Sequence, residues 1–149
     1  MDNKNITLNL RFAEIKVSKY SQYDLEKDFK KDEKPFVEFQ SSFNFKILEK
    51  EERLSCLVTV VIIIIETKEE FAELKVENIF ELKPFKDVIK SKSENSYDIP
   101  DAVLHNLVSL SISTVRGILS EKLKGTIVQN EVYPLIDPTL LFNNKKPAL

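Results

Sequence analysis

The chain has 149 residues, 42% of them hydrophobic and 31% charged, and a net charge of −2. That is one domain of ordinary globular balance, able to bury roughly two thirds of its unfolded surface without staples, and it lacks the basic field that nucleic acid requires. Its only glycines are Gly117 and Gly125, which excludes the phosphate-cradling loops of nucleotide-binding folds, because these need several closely spaced glycines.

The polar start Met1-Asp2-Asn3-Lys4-Asn5 is followed by no apolar run with a cleavage site, so no signal peptide is expected. Ile6 to Val17 reads as the first strand. Ile6, Leu8, Leu10 and Phe12 share one parity, and Ile15 and Val17 take the other. A change of face by one residue predicts a β-bulge near Ala13-Glu14. Asp24 to Lys34, dense in Asp, Glu and Lys, reads as a solvated loop.

Phe36 to Leu48 is the second strand. Val37, Phe39, Phe43, Phe45 and Ile47 lie on one parity, with Ser41 interrupting. A turn at Glu49 to Glu52 leads into Arg53 to Glu66, which is apolar on both parities from Cys56 to Ile65 except at Thr59. Such a strand is central in its sheet, or is covered on its second face by another subunit. Val60 to Ile65, the longest unbroken apolar run, is too short to span a bilayer. The expected location is therefore the cytosol, without membrane insertion. After the turn Thr67-Lys68-Glu69 comes Glu70 to Leu82, with Ala72, Leu74, Val76, Phe80 and Leu82 facing inward and Glu73, Lys75, Glu77 and Glu81 outward. Four strands joined by short turns predict an antiparallel meander.

Pro84 ends that strand, and Phe85 to Tyr97 reads as a polar crossover. Asp98-Ile99-Pro100-Asp101 predicts a helix start with a capping acid. Leu104, Leu107, Val108, Ile112, Val115, Ile118, Leu119 and Leu123 then recur at helical spacing, and Gly125 fits the stop. So broad a stripe predicts burial from two sides. The expected fold is α+β: a four-stranded antiparallel meander, a crossover, one long helix and a short C-terminal segment, in a single domain spanning residues 1–149 with a flexible tail from 143.

Catalytic chemistry has little to stand on. His105 and Ser109 lie one helical turn apart with no third group to orient a base. One cysteine, Cys56, and one histidine do not make a zinc site, and no disulfide can form within the chain. No enzyme activity, cofactor or metal is expected. The ten phenylalanines carry more meaning. Phe39, Phe43 and Phe45 form a stripe that reads either as sheet core or as the wall of a groove.

The order of elements, the strand end Asn78-Ile79-Phe80-Glu81-Leu82, the helical Val115-Arg116-Gly117 and the ending Tyr133-Pro134-Leu135-Ile136-Asp137-Pro138-Thr139-Leu140-Leu141-Phe142 together resemble the SecB family of protein-export chaperones over nearly the whole chain. The resemblance implies an ATP-independent holdase for unfolded or pre-export polypeptides, assembled as a homotetramer (a dimer of dimers) with helices between sheets. It places a client groove at Val37, Phe39 and Phe43, with Leu141 and Phe142; parity extends that groove to Phe45 and Phe85. It also implies a helix interface at Leu104, Val108, Ile112 and Val115. The family continues past Leu-Phe into a second helix and an acidic tail that contacts the SecA translocase, whereas only Asn143 to Leu149 follow here. SecB-like proteins that guard the antitoxin of a toxin–antitoxin system are the alternative within the family. From other classes, a hotdog-type acyl thioesterase or small-molecule binder would use Asp101 as its acid, and a scaffold subunit would bind no client.

Overall fold

A computed structural model describes residues 8–30, 32–93, 96–134 and 136. The four expected strands form one antiparallel sheet: β1 (Asn9–Gln22), β2 (Val37–Leu48), β3 (Arg53–Ile64) and β4 (Glu70–Lys83), in the order β1-β4-β3-β2. β3 is thus internal, as its two apolar faces require, and β1 and β2 are the edges. A single 3-10 turn, Glu49–Glu51, links β2 to β3. Beyond Pro84 the crossover contains a one-turn helix, α1 (Phe85–Val88), and a small antiparallel pair, β5 (Lys90–Ser93) with β6 (Ser96–Asp98). The long helix α2 (Asp101–Lys122) follows.

β1 reaches five residues beyond the expected strand, because the register slips twice. The first slip, between Phe12 and Glu14, is the expected bulge; the second falls between Val17 and Lys19. Each slip inserts one extra residue and so restores the face. Leu10, Phe12, Ile15, Val17 and Tyr20 therefore all lie opposite inward-facing positions of β4: Leu82, Phe80, Asn78, Val76 and Leu74.

α2 lies over β3 and β4. It buries Val103, Leu107, Val108, Ser111, Ile112, Val115 and Leu119 against Leu54, Cys56, Val58, Val60, Ile62, Leu74, Val76 and Phe80. At its start Pro100, not Asp98, is the capping position, and no side chain caps it. Asp98 belongs to β6, where it pairs with Lys90. At its end Gly125 takes a left-handed φ of 82°, the conformation that a helix stop needs and that glycine adopts without steric cost. α2 is long and apolar enough by composition to cross a membrane, yet its buried stripe faces its own sheet.

Among the described residues, no long helix lies on the opposite sheet face. There Leu57, Val61 and Ile63 of β3 are half-buried between polar neighbours such as Gln40 and Glu73, both paired with Val61. On the β1–β4 half of this face Arg11 bonds Glu81 at 2.9 Å and Lys19 bonds Glu73 at 3.1 Å. Exposed pairs of this kind contribute little stability, but they keep this half of the face wet.

Candidate polypeptide-binding surface

An α-helix is about 10 Å across with its side chains, and strands are about 4.8 Å apart, so one helix covers about two strands. α2 takes β3 and β4. The helix-side flanks of both edge strands are left for other partners, and the two flanks are treated differently.

On the β1 flank, Phe12, Ile15 and Val17 stay 36%, 46% and 42% exposed. Phe12 stacks on Phe80 with ring centroids 4.7 Å apart. Leu110, on the uncovered side of α2, is 38% exposed. These side chains are exposed apolar surface, three of them on a strand that is an edge of the sheet among the described residues.

On the β2 flank the chain covers itself. After α2, a run of turns held by local bonds (Thr126 N–H to Leu123 O, Gln129 N–H to Thr126 O, Glu131 N–H to Val128 O) carries the chain back towards the sheet. Residues 131–134 then lie as a strap without regular structure. Tyr133 is buried to 2% exposure. Its ring meets Phe39 edge-on at 5.6 Å, and its hydroxyl shares a hydrogen bond with Ser41 Oγ. Arg116 donates from Nε to the Tyr133 carbonyl at 3.0 Å and from Nη2 to the Pro134 carbonyl at 3.2 Å. Burial pushes the Tyr133 phenol above its ordinary range, against smaller opposite pulls from the Ser41 bond and the Arg116 charge. The phenol is therefore a neutral hydrogen-bonding group at physiological pH.

The expected groove residues divide. Val37, Phe39 and Phe45 are half-buried at the β2 flank, packed against the core. Phe43 and Phe85 are only 7% and 3% exposed, so they belong to the core of the single chain and offer no wall. Strand parity gives the face of Phe43 but not what covers it, and it does not apply to Phe85, which opens α1. Leu141 and Phe142 lie outside the described residues, as does the tail from 143. The residues of the expected helix interface lie mostly inside the single chain. Val108, Ile112 and Val115 are fully or almost fully buried against the chain's own sheet, and Leu104 is half-buried. The side of α2 available to another molecule instead carries Ala102, Asn106, Leu110, Ser113 and Gly117. The expectation of burial from two sides is met on one side only within this chain.

A further apolar cleft of about 380 Å³ sits at one end of the sheet, lined by Phe29, Pro35, Phe36 and Ile65 with Glu33, Lys34 and Glu66. Phe36 and Ile65 are 79% and 53% exposed there. His105 is half-buried and Asp101 exposed on α2. Among the described residues no group of three or more His, Cys, Asp or Glu side chains could hold a metal.

Sequence reasoning missed the roles of Tyr133 and Arg116 in this geometry. The available signal was Ser41, the one polar residue on an otherwise apolar strand face.

No protein-family model matches this sequence, and no curated protein matches it. Among solved structures, the chain is similar to a protein of unknown function from Streptococcus agalactiae, at 16% identity over 88% of this chain and 98% of that one, with a TM-score of 0.42. It is also similar to a SecB-like chaperone from Mycobacterium tuberculosis, solved in complex with a peptide from an antitoxin, at 6% identity over 74% of this chain and 80% of that one, with a TM-score of 0.42.

Proposed function

We propose that the protein is an ATP-independent holdase of the cytosol, binding unfolded polypeptides on apolar surface and working as a homo-oligomer, a tetramer in the simplest arrangement, rather than as an enzyme. The observation that carries this reading is the partly covered sheet. Phe12, Ile15 and Val17 stand exposed along a 14-residue edge strand, and among the described residues the opposite flank is covered by an irregular strap. Apolar contact lowers the free energy of exposed client segments by about 25 cal/mol per Å² buried, before ordering costs. Aliphatic and aromatic walls demand no hydrogen-bond geometry, so many sequences can be accepted. Pre-export proteins and antitoxins both present such extended segments, and the surface does not favour one over the other.

A thioesterase reading has less support. Its acid would be Asp101, which here is exposed at the start of a helix that follows the sheet.

The test is light scattering of a chemically denatured model substrate diluted into buffer without nucleotide. A stoichiometric amount of the protein is expected to suppress aggregation. Unchanged scattering at several-fold excess would sink the proposal.

A further inference from the structure

The strap over the β2 flank has the form of a bound ligand. Arg116 holds it by two successive backbone carbonyls, those of Tyr133 and Pro134, at 3.0 and 3.2 Å. A guanidinium that grips main-chain oxygens is indifferent to side-chain identity. The side-chain preference of the seat comes from Phe39, which meets an aromatic ring edge-on at 5.6 Å, a favoured geometry for aromatic pairs. Ser41 adds a hydroxyl that can donate or accept. The turns preceding the strap are held by their own local backbone bonds. Residues 131–134 can therefore lift without unmaking α2 or the sheet.

We infer that Tyr133 occupies, within the chain, the seat that an aromatic residue of an unfolded polypeptide takes when it binds. Arg116 then grips the incoming backbone, and the strap acts as a built-in competitor. This rests on the holdase reading and gives it a specific subsite. The partner it selects is an extended segment carrying Tyr or Phe, followed by a backbone free of other hydrogen bonds. A strap that closes the seat most of the time lowers the apparent affinity by the closed fraction. Binding is thereby reserved for polypeptides that stay extended long enough to displace it.

The experiment is hydrogen exchange on the full chain, with and without a permanently unfolded probe (reduced, carboxymethylated lactalbumin), alongside anisotropy titration of the labelled probe. Bound probe is expected to speed exchange at residues 131–133 while the β3 amides stay protected. Tyr133→Ala is expected to bind the probe about tenfold more tightly, and adding Arg116→Met to it should remove that gain. A synthetic peptide of residues 127–134 should bind the Tyr133→Ala variant and compete with the probe. Probe binding that leaves strap exchange unchanged or slower overturns the competitor role alone. No probe binding by wild type or variant overturns the holdase reading and this subsite with it. If Tyr133→Ala fails to fold, exchange on the wild type decides.

Discussion

Two polar residues interrupt otherwise apolar strand faces, and each is the partner of a side chain from the last third of the chain. Ser41 on β2 meets the Tyr133 hydroxyl. Asn78 on β4 is completely buried; its Nδ2 donates to the Cys56 carbonyl at 3.4 Å and its Oδ1 accepts from the Thr114 hydroxyl at 2.7 Å. The Ser111 carbonyl, 2.8 Å from the same hydroxyl, is an alternative acceptor for its one proton. Asn78 thus ties the middle of α2 to the sheet at one register. Replacing it with alanine removes both bonds and leaves a small cavity, and should cost about 2–3 kcal/mol. Urea unfolding checks this; a loss below about 1 kcal/mol would show that the helix holds its place without the link. These interruptions were visible in the sequence, but their partners were not. Strand parity gives the face of a residue, whereas Tyr133 lies beyond the end of α2, in a segment with no period to place it.

The strands were the most legible elements, because alternation is their direct physical consequence. The first bulge of β1 could be read from the shift between Phe12 and Ile15. The second could not, since Ser18 and Lys19 are both polar and give no parity. The β5–β6 pair was also hidden: Lys90-Ser91-Lys92-Ser93 has no apolar alternation, and the pair is anchored from outside by the Tyr97 hydroxyl, which donates to Glu49 at 3.1 Å. The second slip of β1 offers a contrast between two deletions. Ser18 is an extra residue in the ladder, with Val17 paired to Val76 and Lys19 to Lys75. Deleting Ser18 leaves every other pair in place and should change stability by less than ~1 kcal/mol. Deleting Lys16 instead turns Val17 to the outer face and Ser18 inward, a one-residue flip. It should cost ~1–2 kcal/mol more than the first deletion. Thermal melting of the two deletions side by side decides; equal losses would mean that the second bulge is not what keeps Val17 on the helix side.

For the molecule as a whole, the mismatch between one helix and four strands governs what the surface can do. On the helix side of the sheet the β2 flank is covered by the chain's own strap, whereas the β1 flank keeps a row of exposed apolar side chains; Phe36 and Ile65 add a second exposed pair at one end of the sheet. The row Phe12, Ile15, Val17 lies on β1, an edge strand among the described residues, where a second copy could meet both the side chains and the strand edge. Alternation and helical spacing give the apolar faces of the strands and of α2, but not which part of each face the chain's own packing covers; Val108, Ile112 and Val115 are buried within the chain, whereas Ile15 and Val17 are not. Ile15, 46% exposed and opposite Asn78, is the position that separates folding from association. Ile15→Glu should leave the monomer's melting nearly unchanged, within about 1 kcal/mol, since surface changes away from buried features are mild. In an association across β1 the same glutamate would be brought, by symmetry, near its own copy and desolvated. Native mass spectrometry is therefore expected to show a homo-oligomer for the wild type and a smaller species for Ile15→Glu, with binding of a hydrophobic dye falling in parallel. An assembly of unchanged mass in the variant would move the interface away from β1 and leave Phe12, Ile15 and Val17 free for clients instead.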